Sequence, residues 1–204
     1  CPIEWLDIGG GFGIWYKDKL AKSADTIAEP LLPLIKEMGI KLILEPGRFI
    51  VGNAGIMVSR VLYIKESGGK NFVICDAGMN DLLRPSLYGA YHRIWPVATE
   101  PGVQGEVPNE DTWEGPHIPT DLVGPICESG DIFAKDRKMP PMKRGDLVAI
   151  YSAGAYGFVM SSTYNSHPRP CEVMVAGEEA KVVTKRETFE DLIRNESIVP
   201  FSLS

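Results

Sequence analysis

The feature that most constrains the fold is the glycine-rich run GGGFG at residues 9–13, which directly follows a short apolar run at residues 3–8. Such a pattern is typical of a buried strand that ends in a tight turn. Residues 23–38 then show helical spacing of apolar positions up to Gly39, and residues 41–44 form a second apolar run. Strand, glycine turn, helix and strand make a βαβ unit, so we expect parallel strands. Pro30 and Pro33 are expected in the first helical turn, or they mark a late start.

From about residue 53 the pattern changes to short β-rich runs at residues 56–64, 71–75, 147–152 and 171–175. These runs lie between Gly, Pro and Asn clusters and predict an all-β segment. We therefore expect two domains, residues 1–54 and residues 55–204. Short helices are expected within residues 80–91 and 188–194, and a surface excursion over residues 96–120.

A single βαβ unit cannot bury both faces of its sheet. If its strands belong to a (β/α)8 barrel, most of that barrel is missing, because a complete one takes ~250 residues. The fold class predicted is α/β plus all-β, with an incomplete barrel. The first residues, CPIEWLD, include no Met, basic region or signal-peptide core, so we expect a chain that begins in mid-fold.

The composition of the 204 residues, 44% hydrophobic and 24% charged, is typical of a globular protein. A net charge of −6 argues against a nucleic-acid or anionic-membrane surface and favours a small-molecule partner. No apolar stretch is long enough to span a bilayer. The four cysteines are widely spread without a CxxC pair, which indicates a reducing, cytoplasmic setting and no zinc site. The three histidines have no partners that suggest a metal or a triad.

The glycine turn has two interpretations. Glycines let a phosphate approach backbone N–H groups closely, but such turns also occur for steric reasons alone. A dinucleotide-binding fold is a minor alternative, because GGGFG lacks the GxGxxG spacing.

Glu45 and Arg48 follow the second strand, at the end where parallel α/β folds place their ligands. They form either a solvated ion pair or a binding pair. In the second case Arg48 binds a phosphate or carboxylate, and Glu45 holds a protonated ring nitrogen.

Six sequence blocks occur in a fixed order: LDIGGGFG at 6–13, LEPGRF at 44–49, CDAG at 75–78, RPSLY at 84–88, GPICESGD at 124–131 and AGAYG at 153–157. Together they resemble the fold-type-III decarboxylases, which use pyridoxal phosphate. The resemblance covers residues 3 to about 175. It implies a homodimer built from an alanine-racemase-like barrel and a C-terminal β domain that carries substrate and dimer-interface loops.

The resemblance implies that one group of residues binds the cofactor phosphate: Gly9, Gly10, Gly11, Gly47, Arg48 and Tyr156. It places Glu45 against the pyridinium nitrogen. Pyridoxal phosphate acts as an electron sink only while this nitrogen is protonated, and a nearby carboxylate raises the pKa of the nitrogen.

Cys127 is the candidate catalytic residue. After loss of CO2 a carbon must be protonated, and a thiol with a pKa of ~8.5 still carries its proton at neutral pH. The alternative is that Cys127 is a small buried residue. In the resembling family, the loop that carries this cysteine enters the active site of the partner subunit.

Substrate binding is assigned to five residues: Arg48, Arg84, Tyr88, Glu128 and Tyr156. Diaminopimelate carries an ammonium and a carboxylate at its distal end, whereas ornithine and lysine offer only an ammonium there. Glu128 can accept from the ammonium, and Arg84 with Arg48 can bind the carboxylate. The alternative for Arg84 is a surface arginine. We expect decarboxylation of meso-2,6-diaminopimelate to L-lysine, a step of lysine biosynthesis.

The lysine that carries the cofactor in this family sits on an early barrel strand, and no lysine here has such surroundings. The chain alone is therefore expected to be inactive. Two alternatives remain: a related decarboxylase of ornithine, arginine or carboxynorspermidine, and a non-catalytic regulatory homologue. The joint presence of Glu45, Arg48, Cys127 and Tyr156 argues against the second alternative.

Overall fold

The computed structural model describes residues 2–17, 21–97 and 110–201. Its first part is the predicted βαβ unit, with strand β1 at Trp5–Asp7, helix α1 at Ala24–Met38 and strand β2 at Lys41–Ile43. The two strands pair in parallel. The predicted strand positions are confirmed, although each strand is shorter than the apolar run that predicted it.

Helix α1 begins and ends where the sequence predicts. Ser23 caps it through the Thr26 N–H at 3.3 Å, and Gly39 ends it in the left-handed conformation at φ +65°. The prediction for the prolines was wrong, because Pro30 and Pro33 lie in the interior of the helix. Each proline removes one helical N–H donor. Both prolines are exposed, so the carbonyls that lose a partner can be hydrated.

A short helix follows at Gly47–Val51, which we call α2. The main sheet has six strands: β3 at Met57–Ser67, β4 at Lys70–Cys75, β5 at Ile94–Pro96, β6 at Ile118–Val123, β7 at Ile132–Met139 and β8 at Leu147–Ile150. Their order is β5-β8-β3-β4-β6-β7, and all neighbours are antiparallel except β4 and β6. The predicted class, α/β plus all-β, is confirmed.

Apart from three short 3₁₀ turns, the remaining described elements are helix α3 at Arg84–Tyr88, a hairpin of β9 at Glu172–Ala176 with β10 at Glu179–Thr184, and helix α4 at Phe189–Ile193. Both predicted short helices are present, but α3 is much shorter than residues 80–91. The predicted excursion at residues 96–120 is wrong at its end, where β6 begins. Residues 98–109 lie outside the described part of the chain. None of the described helices is long and apolar enough to cross a membrane.

The hydrophobic core is formed by the main sheet, with Val61, Leu122, Met139, Val148 and Ile150 almost fully buried. The strands of the βαβ unit, in contrast, are exposed or half-buried on both faces.

The βαβ unit joins the sheet through a polar contact. Asn53 Nδ2 lies 2.6 Å from the Trp15 carbonyl and 2.8 Å from Ser152 Oγ. A Cβ on Gly154 would overlap the Val51 carbonyl, so the backbones approach closely here. This contact brings the segment that contains Tyr156 up to the end of β2. The division into residues 1–54 and 55–204 stays a prediction.

Candidate active site

The glycine turn after β1 is tied to the end of β2. The Asp7 carboxylate accepts the Gly9 N–H at 2.7 Å, and the Gly9 carbonyl accepts the Glu45 N–H at 2.8 Å. A Cβ on Gly10 would lie 2.6 Å from the Glu45 carbonyl oxygen, and Gly11 has φ +84°. Glycine is therefore required at residue 10 by contact and favoured at residue 11 by conformation.

A cleft of about 410 Å³, which we call the glycine cleft, opens beside this turn. Its lining consists of Gly10, Gly11, Phe12, Glu45, Pro46, Gly47, Arg48, Phe49 and Tyr156. The structure thus brings together every predicted cofactor residue except Gly9, which lies one residue outside the lining. The rings of Phe12 and Phe49, 5.9 Å apart, form an aromatic contact in this lining.

The described ion pairs do not include one between Glu45 and Arg48. Both side chains instead line the glycine cleft. The structure therefore does not have the solvated ion pair between Glu45 and Arg48 that was the alternative interpretation. A guanidinium and a carboxylate in one cleft offer a donor for an anion and an acceptor for a protonated nitrogen.

A second cleft of about 290 Å³, the arginine cleft, is lined by Arg84, Tyr88, Tyr156 and Met160. The Arg84 guanidinium lies 5.5 Å from the Tyr88 ring centroid and 5.7 Å from that of Tyr156, distances typical of cation–π contacts. Tyr156 lines both clefts. Three of the five predicted substrate residues therefore lie together, and Arg48 lies in the adjoining glycine cleft.

Tyr16 is a residue of this region that the sequence analysis missed. Its hydroxyl accepts a hydrogen bond from Arg84 Nη2 at 3.3 Å, and its ring meets that of His92 edge-on at 5.6 Å. His92 is fully buried, with Nδ1 2.9 Å from the Tyr151 carbonyl, and burial lowers its pKa. No motif in the sequence marks Tyr16, because its partner lies 68 residues away.

Cys127 and Glu128 are exposed and line neither cleft. The alternative of a buried Cys127 is therefore wrong. Asp131, which is only 3% exposed, stabilises the turn that carries both residues. One Asp131 oxygen accepts the Ile126 N–H at 2.7 Å, and the other accepts the Met79 N–H at 2.6 Å. Burial raises the pKa of Asp131, while these two N–H donors oppose that rise.

The Glu128 carboxylate has two partners in the chain. Its Oε2 accepts the Tyr164 hydroxyl at 3.2 Å, and its Oε1 accepts the Gly130 N–H at 3.2 Å. The hydrogen bond to Glu128 raises the pKa of Tyr164. Sequence analysis missed Tyr164, which follows a run of small polar residues without a recognised spacing. Among the described residues, no group of three His, Cys, Asp or Glu side chains could hold a metal ion.

This chain is similar to known proteins over most of its length. The family model described as "Pyridoxal-dependent decarboxylase, C-terminal sheet domain" matches residues 18–154. Diaminopimelate decarboxylase of Aquifex aeolicus is 46% identical over 192 residues, which are 94% of this chain and 43% of that protein.

Two solved structures show the same fold. Diaminopimelate decarboxylase from Helicobacter pylori, complexed with L-lysine, has a TM-score of 0.81 and 39% identity over 94% of this chain and 44% of its own. Lysine/ornithine decarboxylase from Vibrio vulnificus, complexed with cadaverine, has a TM-score of 0.64 and 30% identity over 79% of this chain and 40% of its own.

The chain therefore belongs to the family of pyridoxal-dependent decarboxylases. It spans less than half the length of these relatives. The glycine cleft fits pyridoxal phosphate chemically, because it combines a side-chain-free backbone, a guanidinium and a phenol with a carboxylate.

Proposed function

We propose that the full-length protein is a diaminopimelate decarboxylase, which converts meso-2,6-diaminopimelate to L-lysine and CO2 in lysine biosynthesis. The observation that carries the proposal is the arginine cleft, which adjoins the glycine cleft through Tyr156. Arg84 there, with Arg48 nearby, can bind a distal carboxylate that ornithine and lysine lack at that end. Tyr88 and Tyr156 flank the Arg84 guanidinium and support its position.

In this proposal the glycine cleft holds the cofactor. The phosphate would lie against the backbone of four glycines, Gly9, Gly10, Gly11 and Gly47. It would also accept hydrogen bonds from the side chains of Arg48 and Tyr156. Glu45 keeps the ring nitrogen protonated, because a carboxylate stabilises the cation. When bound, pyridoxal phosphate supplies the electron sink that loss of CO2 requires.

Cys127 is proposed to donate a proton to the substrate carbon after CO2 leaves. Its exposure, together with its position outside both clefts, supports a site completed by a second copy of the chain. Glu128, the next residue, would reach the same site and accept from the distal ammonium. We therefore propose a homodimer with shared active sites. The sparse use of cysteine supports a cytoplasmic location.

The substrate assignment is tested by assaying the full-length protein with diaminopimelate, ornithine and arginine side by side. We expect the highest kcat/KM for diaminopimelate. A preference for ornithine would overturn the assignment and favour a decarboxylase of the Vibrio vulnificus type. No release of CO2 from any amino acid would favour a regulatory homologue.

The shared site is tested by subunit mixing. Arg48→Ala and Cys127→Ala are each expected to inactivate a homodimer. In a mixed dimer, one site then carries both defects and the other carries neither. Random exchange makes about half of the dimers mixed, so activity should return to about a quarter of the wild-type value. Background activity after verified subunit exchange would rule out the shared site.

A further inference from the structure

Glu128 is held at both of its carboxylate oxygens, although it is exposed. The Gly130 N–H and the Tyr164 hydroxyl each donate one hydrogen bond, at 3.2 Å. A glutamate on an exposed turn is otherwise free to change rotamer. A carboxylate has about four acceptor positions, so about two remain for a ligand.

Tyr164 is itself fixed by the backbone around it. It begins the short turn Tyr164–Ser166, in which Asn165 and Ser166 have φ of 56° and 58°. The preceding Ser162 donates its N–H to the Asn80 carbonyl at 2.8 Å. Asn80 is buried and adjoins Met79, which donates to Asp131 beneath the Cys127 turn. Tyr164 and Glu128 are therefore attached to the same buried segment.

We propose that Tyr164 is a specificity-determining positioning residue, which orients the Glu128 carboxylate to accept the distal ammonium of the substrate. The inference rests on the proposed function. It holds whether Glu128 serves its own subunit or the partner, because Tyr164 and Glu128 belong to one chain. Pre-ordering the carboxylate lowers the rotamer entropy that is lost when the ammonium binds.

The ligand pair that tests the proposal is L-lysine and 6-aminohexanoate. Loss of one CO2 from diaminopimelate leaves the distal ammonium and carboxylate intact, so L-lysine keeps both groups. 6-Aminohexanoate keeps the carboxylate and lacks that ammonium. An effect that runs through Glu128 should therefore weaken the binding of L-lysine alone.

Calorimetric titration of the full-length, cofactor-loaded protein measures both affinities. We expect Tyr164→Phe to weaken L-lysine binding about three- to tenfold, the range of one hydrogen bond, and to leave 6-aminohexanoate unchanged. In a Glu128→Gln background the same substitution should have little further effect. Tyr63→Phe is the matched control, because Tyr63 is 56% exposed on β3 and contacts Arg144 instead.

The outcomes separate this inference from the proposed function. If Glu128→Gln selectively weakens L-lysine and Tyr164→Phe does not, the role of Tyr164 is overturned and the proposed function stands. Equal weakening of both ligands by Tyr164→Phe also overturns the inference, because it indicates a general structural role. If Glu128→Gln affects neither ligand, the proposed role of Glu128 fails, and the inference fails with it.

Discussion

Asp131 allows a sharp test of how the Cys127 turn is held. Its buried carboxylate accepts both the Ile126 and the Met79 N–H. Asp131→Asn keeps the size and shape of the side chain. It replaces one acceptor oxygen with an NH2 group, which then faces a backbone N–H. One of the two backbone donors is left buried without an acceptor.

The expected cost follows from these two contacts. A hydrogen bond to a charged acceptor contributes ~1.5–3 kcal/mol, and a stranded buried donor costs ~1–3 kcal/mol. Loss of the buried charge offsets part of this sum, since burial disfavours the ionised carboxylate. We therefore expect the free energy of unfolding to fall by about 2–4 kcal/mol.

Urea unfolding of the full-length protein, followed by tryptophan fluorescence, measures this loss through buried Trp95. Asp136→Asn is the matched control. The Asp136 side chain is 67% exposed and pairs with Lys70 at 3.1 Å, so its loss should cost only ~0–1 kcal/mol. Equal urea midpoints for the two variants would refute the argument that Asp131 holds the turn.

Three further predictions concern other parts of the molecule. Burial raises the pKa of Cys75 to about 12, so an unfolded thiol with a pKa of ~8.5 loses its proton first. As the pH rises between these two values, the free energy of unfolding of the wild type should fall by up to ~1.4 kcal/mol per pH unit more than that of Cys75→Ala. Parallel pH profiles of the two proteins in urea unfolding would contradict this. Cys127→Ala should lower kcat by about 10²–10⁴-fold and leave the visible absorbance of the bound cofactor intact; wild-type kcat would require another acid. Gly10→Ala should raise the Kd for pyridoxal phosphate about tenfold. Its Cβ would push against the Glu45 carbonyl beside the glycine cleft, and such overpacking costs ~1–3 kcal/mol. An unchanged Kd in an absorbance titration would contradict this.

Local patterns were sufficient to predict the βαβ unit and much of the fold. Ser23 and Gly39 mark the ends of α1 because capping depends on neighbouring residues only. Strands β5, β6, β7 and β10 were missed. β6 begins with Ile118-Pro119, and β7 contains the charged sequence KDRK, so neither shows an apolar alternation. β6 pairs with β4, which lies far before it in the chain, and no local window reveals that pairing; β7 pairs with the neighbouring β6.

The candidate site was predicted in part. Apart from Tyr156, the residues of the glycine cleft closely follow β1 and β2, so their proximity follows from the parallel pairing of these strands. Tyr156 and Arg84 needed the resemblance, since they approach the clefts from other parts of the chain. Tyr16 and Tyr164 were missed because the partners of their hydroxyls, Arg84 and Glu128, lie 68 and 36 residues away in the sequence.

The pairing of β3 with β8 has a consequence for the order of folding. β3 lies at residues 57–67 and its partner β8 at residues 147–150, so one edge of β3 stays unpaired while the residues between them are synthesised. At ~5–20 residues per second, this interval lasts on the order of ten seconds. An unpaired strand edge is a template for intermolecular pairing. The nascent chain therefore passes through a period of exposure to aggregation that ends only when β8 arrives.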